Sequence, residues 1–333
     1  MHVIKSVSRL LFALVAKWTF VAYSYSPDSG ETTAGGIPFI IHQTWKTERI
    51  PAYLAEYRDS WLRLHNIGES RSKWKYIFWS DKDLENFVEK HCYSEIPKEE
   101  YKTKIQFVDA ARYCVLYHVG GIFVDLDYQA LRPMDLLLHT FAFDEDAQLI
   151  LTKEPPEHSR LFMQNYIVSN AIMFSKPFHP LLKHALNSLK PAFEEMKHEN
   201  NTSHQVMYST GPFFLTHVYR LVSCLCKNGQ VTTFDWADFP TLASEVECSS
   251  LEILNGSKNS HIRLLEAEVL NPKPLFLENG KIVANKCYRS KNNNRQTLLG
   301  EDTRIVDTNG DVSAFAFAQH HWCGTWWENA HGS

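Results

Sequence analysis

The sequence predicts an α/β fold, a mostly parallel sheet flanked by helices, and three observations carry that expectation. Apolar strand-like runs alternate with segments of helical spacing. Their order, strand–helix–strand–helix–strand, argues for parallel strands joined by crossovers. One apolar run ends in Asp125-Leu126-Asp127, which places acids at a strand terminus, the edge where open α/β sheets bind ligands.

Residues 37–45 (IPFIIHQTW) open the globular part as a buried strand, and Pro51 starts a helix over 52–66. Residues 74–79 (WKYIFW) form the next strand, after which Ser80 or Asp81 caps a helix to about residue 90. A longer helix runs over 98–118 and stops at Gly120-Gly121, where a left-handed residue is needed. The strand at 122–127 (IFVDLD) leads into a loop ending at Pro133. Further strands are expected at 148–153 and 166–175, with a helix at 180–196, a polar loop at 197–204 and a second apolar helix at 211–226. Short strands and polar loops, such as 291–296, fill the remainder. A last strand at 313–322 (SAFAFAQHHW) delivers two histidines to its end. There is no internal repeat and no clean linker, so residues 37–333 read as one domain with an elaborated second half.

Composition excludes several classes. With 44% hydrophobic and 22% charged residues the 333-residue chain is ordinary globular material, neither disordered nor low-complexity. Thirty-four basic residues against 38 acidic ones leave a net charge of −4, so no basic excess drives binding to nucleic acid. The seven cysteines include no C-x-x-C pair, which argues against a structural zinc site. Cys224 and Cys226 fit free core thiols as well as a bridge.

Lys5 and Arg9 precede an apolar run at 10–23. A helix of that length spans ~21 Å, short of the ~30 Å hydrocarbon core, and Lys17 lies within it. The positive flank fits a signal sequence or short anchor with the bulk of the chain lumenal, in the Golgi or secretory pathway. Residues 24–36, rich in Ser, Thr and Gly, read as a flexible stem, so that 1–36 stand apart from the domain. Sequons at Asn200, Asn201 and Asn255 agree with that compartment.

The chemistry concentrates around the acidic pair. Strand spacing puts the Asp125 and Asp127 carboxylates on one face ~7 Å apart, too far for easy chelation of one ion. One would bind a metal while the other reaches it through water or holds a ligand hydroxyl, and oxygen ligands of this kind favour Mg²⁺ or Mn²⁺. On the helix before the Gly pair, Asp109 and Arg112 share one face. An acid that accepts from hydroxyls beside a guanidinium fork suits a polyhydroxylated anion.

The segment from Asp109 through Arg112, Gly120-Gly121 and Asp125-Leu126-Asp127 resembles the DXD-containing glycosyltransferases of family 32, because three separate spacings agree. The likeness extends to Ile40–Lys46 with Ile50-Pro51, to Ser169–Met173 and Ser175–Pro180, to Ser209–Pro212 with Leu215-Thr216, and to His320-His321-Trp322-Cys323-Gly324-Thr325-Trp326. Within the family the blocks read closest to the inositol phosphoceramide mannosyltransferases. The resemblance implies an A-type nucleotide-diphosphosugar fold and a retaining, metal-dependent transfer of a hexose, mannose from GDP-mannose, to a glycolipid or glycan hydroxyl, with the membrane reached through the N-terminal segment. It also implies roles. Trp45 would stack on the base, Asp109 and Arg112 would hold the donor sugar, Asp125 would contact hydroxyls or the metal, and Asp127 would bind the metal. His321 would complete the metal shell or the diphosphate contacts, with His320 on the opposite face. Thr325 and Trp326 would close over the diphosphate, and Asn170, Thr210 and Gly211 would face the acceptor.

Three other readings stay open. A UDP-sugar-dependent galactosyl- or other hexosyltransferase differs only in donor. A sugar-binding protein could keep the fold without catalysis, although the intact acids argue for activity. A phosphatase of the haloacid dehalogenase kind also carries D-x-D after a strand, but Gln129 occupies the place where it wants Thr or Val, and the double Gly is foreign to it.

Overall fold

The computed structural model of the protein describes residues 31–140, 147–228, 262–272, 276–278, 281–283 and 316–323. The apolar run at 10–23, the sequon at Asn255, the polar loop at 291–296, Thr325 and Trp326 lie outside the described residues.

Strands β1 (Ile40–Trp45) and β2 (Lys75–Ser80) flank helix α1 (Ala52–Leu64) in sequence, and α2 (Asp81–His91) follows. Ser80 caps α2 in a reciprocal box with Asp83, satisfying backbone donors at the helix start. The helix expected from residue 98 is broken in two. Only a short 3₁₀ turn covers Lys98–Glu100, and α3 (Lys104–His118) begins where Thr103 and Gln106 form a second capping box. Then come β3 (Gly121–Val124), β4 (Tyr128–Ala130), α4 (Met134–Thr140), β5 (Leu149–Lys153), α5 (Pro156–Leu161), β6 (Val168–Ser175), α6 (Pro180–Met196), α7 (Thr202–Ser209) and α8 (Pro212–Asn228). The polar stretch 197–204 is shorter than expected because Asn201 accepts from the His204 N–H and starts α7. The described remainder adds β7 (Ile262–Leu265), α9 (Ala267–Leu270), the antiparallel pair β8 (Phe276–Glu278) and β9 (Lys281–Val283), and β10 (Ala318–His320). Among the described residues no helix is long and apolar enough to cross a membrane.

The main sheet has the order β2-β1-β3-β6-β5-β7, and β6 alone runs against the other five strands. The fold is thus the α/β class expected, mostly parallel with one reversed strand. All eight residues of β6 are buried, as a central strand covered on both faces requires. α3 is buried from Gln106 to Leu116 except at Val108, and it carries Asp109 and Arg112 into the interior with it.

The Gly pair works as a hinge between α3 and β3. Gly120 has φ +72° and Gly121 φ +95°, and a Cβ on Gly121 would sit 2.6 Å from the Ile40 carbonyl. Any other residue there would push β1 off β3.

Candidate functional site

The Asp125–Asp127 segment is not strand. β3 ends at Val124 and β4 starts at Tyr128, so the two acids occupy the turn between them, closed by the Tyr128 N–H donating to the Asp125 carbonyl at 3.1 Å. The expectation of carboxylates at strand spacing is corrected accordingly. A turn folds its side chains toward one another, and the ligand atoms of Asp125, Asp127 and His320 all lie within 4.8 Å. Chelation by both acids is therefore open to them.

The turn is held from every side. The Asp125 N–H donates to the Ala171 carbonyl of β6 at 2.9 Å, and the Gln43 amide Nε2 of β1 donates to the Asp125 carbonyl at 3.3 Å. α1 grips β4: Trp61 Nε1 donates to the Tyr128 carbonyl at 2.8 Å and the Ala130 N–H donates to Ser60 Oγ at 2.8 Å. β10 pairs antiparallel with β4, with His320 opposite Tyr128.

Arg112, only 2% exposed, divides its fork between two acids. Its Nη2 lies 2.9 Å from Asp109 Oδ1, and its Nη1 lies 3.1 Å from Asp125 Oδ1 while donating to the Asn170 carbonyl at 2.5 Å. Burial pushes the Asp109 carboxyl up to about 7, against the pull of Arg112. Burial also raises Asp125, with Arg112 opposing and Asp127 adding to the rise. Asp127 goes the other way. Burial would raise it, but the His320 imidazole at 3.1 Å and the Cys323 N–H at 2.8 Å hold it low. Burial would lower His320, but the charge and hydrogen bond of Asp127, with the Asp125 and Glu154 carboxylates beyond, together raise it.

The two histidines do face opposite ways, but the structure reverses their assignment. His320 stacks on Tyr128, its cross-strand partner, at 4.4 Å and joins the acids. His321 stacks on Tyr57 at 4.1 Å and bonds Gln129 through Nε2 at 3.1 Å. Register against β4 decides this, and no register is written in residues 313–322 alone.

Other expected residues fall as follows. Trp45, half-buried at the end of β1, packs in a cluster with Leu54, Leu126 and Cys323, which sets it beside the acidic turn. Asn170 does not line an open rim: its Nδ2 donates to Asp109 at 3.0 Å. Thr210 is fully buried, and its side chain bonds Asp109 and the Val206 carbonyl. Both belong to the Asp109–Arg112 network, because α7 and β6 close over α3. Gly211 sits at the tight corner between α7 and α8, where a Cβ would meet Met207 Cα at 3.1 Å.

Sequence reasoning missed Tyr57, Tyr128, Glu154 and His158. The last two carried a readable signal: an acid just past a strand end and a histidine four residues on.

The donor set fits a divalent cation. Two carboxylates and one imidazole nitrogen within reach of each other match the oxygen-plus-nitrogen preference of Mn²⁺, and serve Mg²⁺ less well through the nitrogen.

Residues 51–144 match the glycosyltransferase sugar-binding region containing a DXD motif. The chain is 32% identical over 202 residues to inositol phosphoceramide mannosyltransferase 1 of Schizosaccharomyces pombe, covering 59% of this chain and 56% of that protein. It is 37% identical over 198 residues to mannosyl phosphorylinositol ceramide synthase SUR1 of Saccharomyces cerevisiae, covering 59% of this chain and 45% of that one. The matches thus span about half the length of these curated relatives. A solved structure, the PaToxG glycosyltransferase, aligns with a TM-score of 0.38 at 16% identity over 57% of this chain and 72% of its own. The acidic turn, α3 with its Asp–Arg pair and the Gly hinge all fall inside the segment, residues 51–144, that is similar to the glycosyltransferase sugar-binding region containing a DXD motif.

Proposed function

We propose that the protein is a metal-dependent glycosyltransferase that moves a hexose, mannose from GDP-mannose, to a hydroxyl of a glycolipid with retention of configuration. One observation carries the reading: Asp125 and Asp127, inside the matched DXD region, converge with His320 from β10 at the carboxyl end of β3. The likeness to proteins named for mannosyl transfer to inositol phosphoceramide supports the donor and the acceptor class.

Asp127 and His320 would hold Mn²⁺ or Mg²⁺, with Asp125 completing the set. Such an ion, when bound, offsets the negative charge that builds on a departing nucleoside diphosphate. The chain's own contribution is orientation. Arg112 opposes the effect of burial on Asp125 and fixes its carboxylate. Asp109, tied to Arg112, Asn170 and Thr210, fixes Arg112. The half-buried face of Trp45 offers a flat surface for a base beside the turn. Retention would follow from attack of the acceptor hydroxyl on the face of the sugar that the diphosphate leaves. Positioning then supplies much of the acceleration.

The disulfide between Cys92 and Cys114, and that of Cys323, support an oxidising lumen such as the Golgi, and the apolar run at 10–23 supports attachment to its membrane.

Thermal-shift measurements on the full chain with GDP-mannose, UDP-galactose and UDP-glucose, each with and without Mn²⁺, test the reading. Metal-dependent stabilisation by GDP-mannose, followed by mannose transfer to inositol phosphoceramide, is expected. Stabilisation by a UDP-sugar alone would replace the donor. Sugar binding without transfer or donor hydrolysis would make the protein a lectin on this fold.

A further inference from the structure

A second buried acid lies next to the acidic turn but outside the Asp–Arg network. β5 runs in the same direction as β3, so Glu154, the residue after β5, stands at the same sheet edge as Asp125. Its Oε2 lies 2.8 Å from Nδ1 of His158, one helical turn on in α5, and both side chains are buried. The His158 ring meets the Trp322 ring edge-on at 4.7 Å, and the Trp322 ring lies against His320 at 3.9 Å.

Trp322 has φ +51°, in the left-handed region that a bulky side chain enters only at a cost of ~1–3 kcal/mol. The bend has a consequence at the acids. It turns the chain so that the Cys323 N–H donates to Asp127 Oδ2 at 2.8 Å just after the His321 N–H has donated to the Asp127 carbonyl at 3.0 Å. The Cys323 donor depends on the conformation of a strained residue, and the Trp322 ring is in contact with both His158 and His320.

We propose that Glu154 and His158 are positioning residues for the acidic turn. The carboxylate fixes the imidazole, the imidazole braces Trp322, and Trp322 keeps residues 320–323 folded over Asp127. The disulfide of Cys323 ties the end of this segment, and the Glu154–His158 pair braces its middle. A buried hydrogen bond between two side chains adds little net stability and fixes their geometry, which suits this role. The relevance to sugar transfer rests on the function proposed above, but the brace itself is a property of the polypeptide and is testable without it.

The test is amide hydrogen exchange of the full, metal-free chain with disulfides intact, read at residues 316–323, together with Mn²⁺ titration by electron paramagnetic resonance. In His158→Ala, exchange at the His321 and Cys323 amides rises about tenfold or more while β6 keeps its protection. His158→Phe keeps a ring against Trp322 and holds exchange near that of the parent. Mn²⁺ affinity in His158→Ala falls about tenfold, as for loss of an outer support. If the alanine variant does not fold, His158→Leu, of similar bulk but without a ring, carries the same comparison. Unchanged exchange at 321 and 323 in a folded ringless variant overturns the proposal, as does a Phe variant that exchanges like the ringless one. A parent chain that takes up no Mn²⁺ would count against the metal reading and not against the brace, which the exchange decides.

Discussion

Arg112 sits between Asp109 and Asp125, with 2.9 Å to the first and 3.1 Å to the second, while Asp127 pairs with the His320 imidazole at 3.1 Å instead. The two acids of the turn are therefore balanced by different partners, one by a guanidinium rooted in α3 and the other by an imidazole on β10. That division separates holding the turn in shape from closing the site over it, and each half can be broken alone.

Breaking the Asp127 half removes the ligand that His320 and Cys323 both address. Asp127→Asn is expected to lower Mn²⁺ affinity about 100-fold or more and to abolish transfer. Isothermal titration with Mn²⁺ reads the first and product formation the second. Normal turnover by this variant would remove Asp127 from the metal site.

Breaking the Arg112 half leaves Asp109 and Asp125 without their shared cation. Arg112→Met should cost about 3–5 kcal/mol in urea unfolding, because it strands buried charge. Arg112→Lys should cost less than Met and still fail to restore full turnover, since one ammonium cannot span both carboxylates. A lysine variant with parental kinetics would mean that the fork geometry is not used.

The pH dependence of stability holds two opposing terms. His42, fully buried, accepts from Trp79 Nε1 at 3.1 Å and donates through Nε2 to the Gly120 carbonyl, and burial lowers it to about 4. The unfolded chain binds that proton between its ordinary value of 6.5 and about 4, so this term is present above 6.5 and lost as pH falls. Asp109, raised to about 7 by burial, keeps a proton that the unfolded chain releases near 3.8, so its term is present at low pH and lost as pH rises toward 7. Each term has a slope of up to ~1.4 kcal/mol per pH unit. Asp109→Asn is expected to make unfolding free energy climb more steeply between pH 4 and 6.5 than in the parent. Equal slopes would refute the raised Asp109.

The disulfide from Cys92 at the end of α2 to Cys114 anchors α3 two residues beyond Arg112. Its sequence separation is 22, and Cys92→Ala with Cys114→Ala is expected to cost about 3 kcal/mol in urea unfolding. An unchanged midpoint at unchanged slope would show that packing alone holds α3.

Much of this was legible in local chemistry. Capping residues such as Ser80, the Gly120-Gly121 stop and the Pro180 start of α6 act within one helical turn, so their elements appear where the sequence puts them. The misread boundaries share a cause. Residues 98–103 look helical in composition, but Thr103 offers a stronger start, and the helix begins there. Asp125-Leu126-Asp127 looks like the end of a strand because Val124 and Leu126 are apolar, yet Leu126 is buried in a different cluster from Val124.

The sequence by itself determined the α/β class, the placement of acids at a sheet edge, and the pairing of Asp109 with Arg112 on one helix face. These depend on periodicity and on contacts within four residues. Only the tertiary structure decided that His320 rather than His321 meets Asp127, that Asn170 and Thr210 serve Asp109, and that Glu154 and His158 stand behind Trp322. Those relations join residues tens to nearly two hundred positions apart. Strand register and the packing of one layer on another set them, and neither is encoded in any single segment.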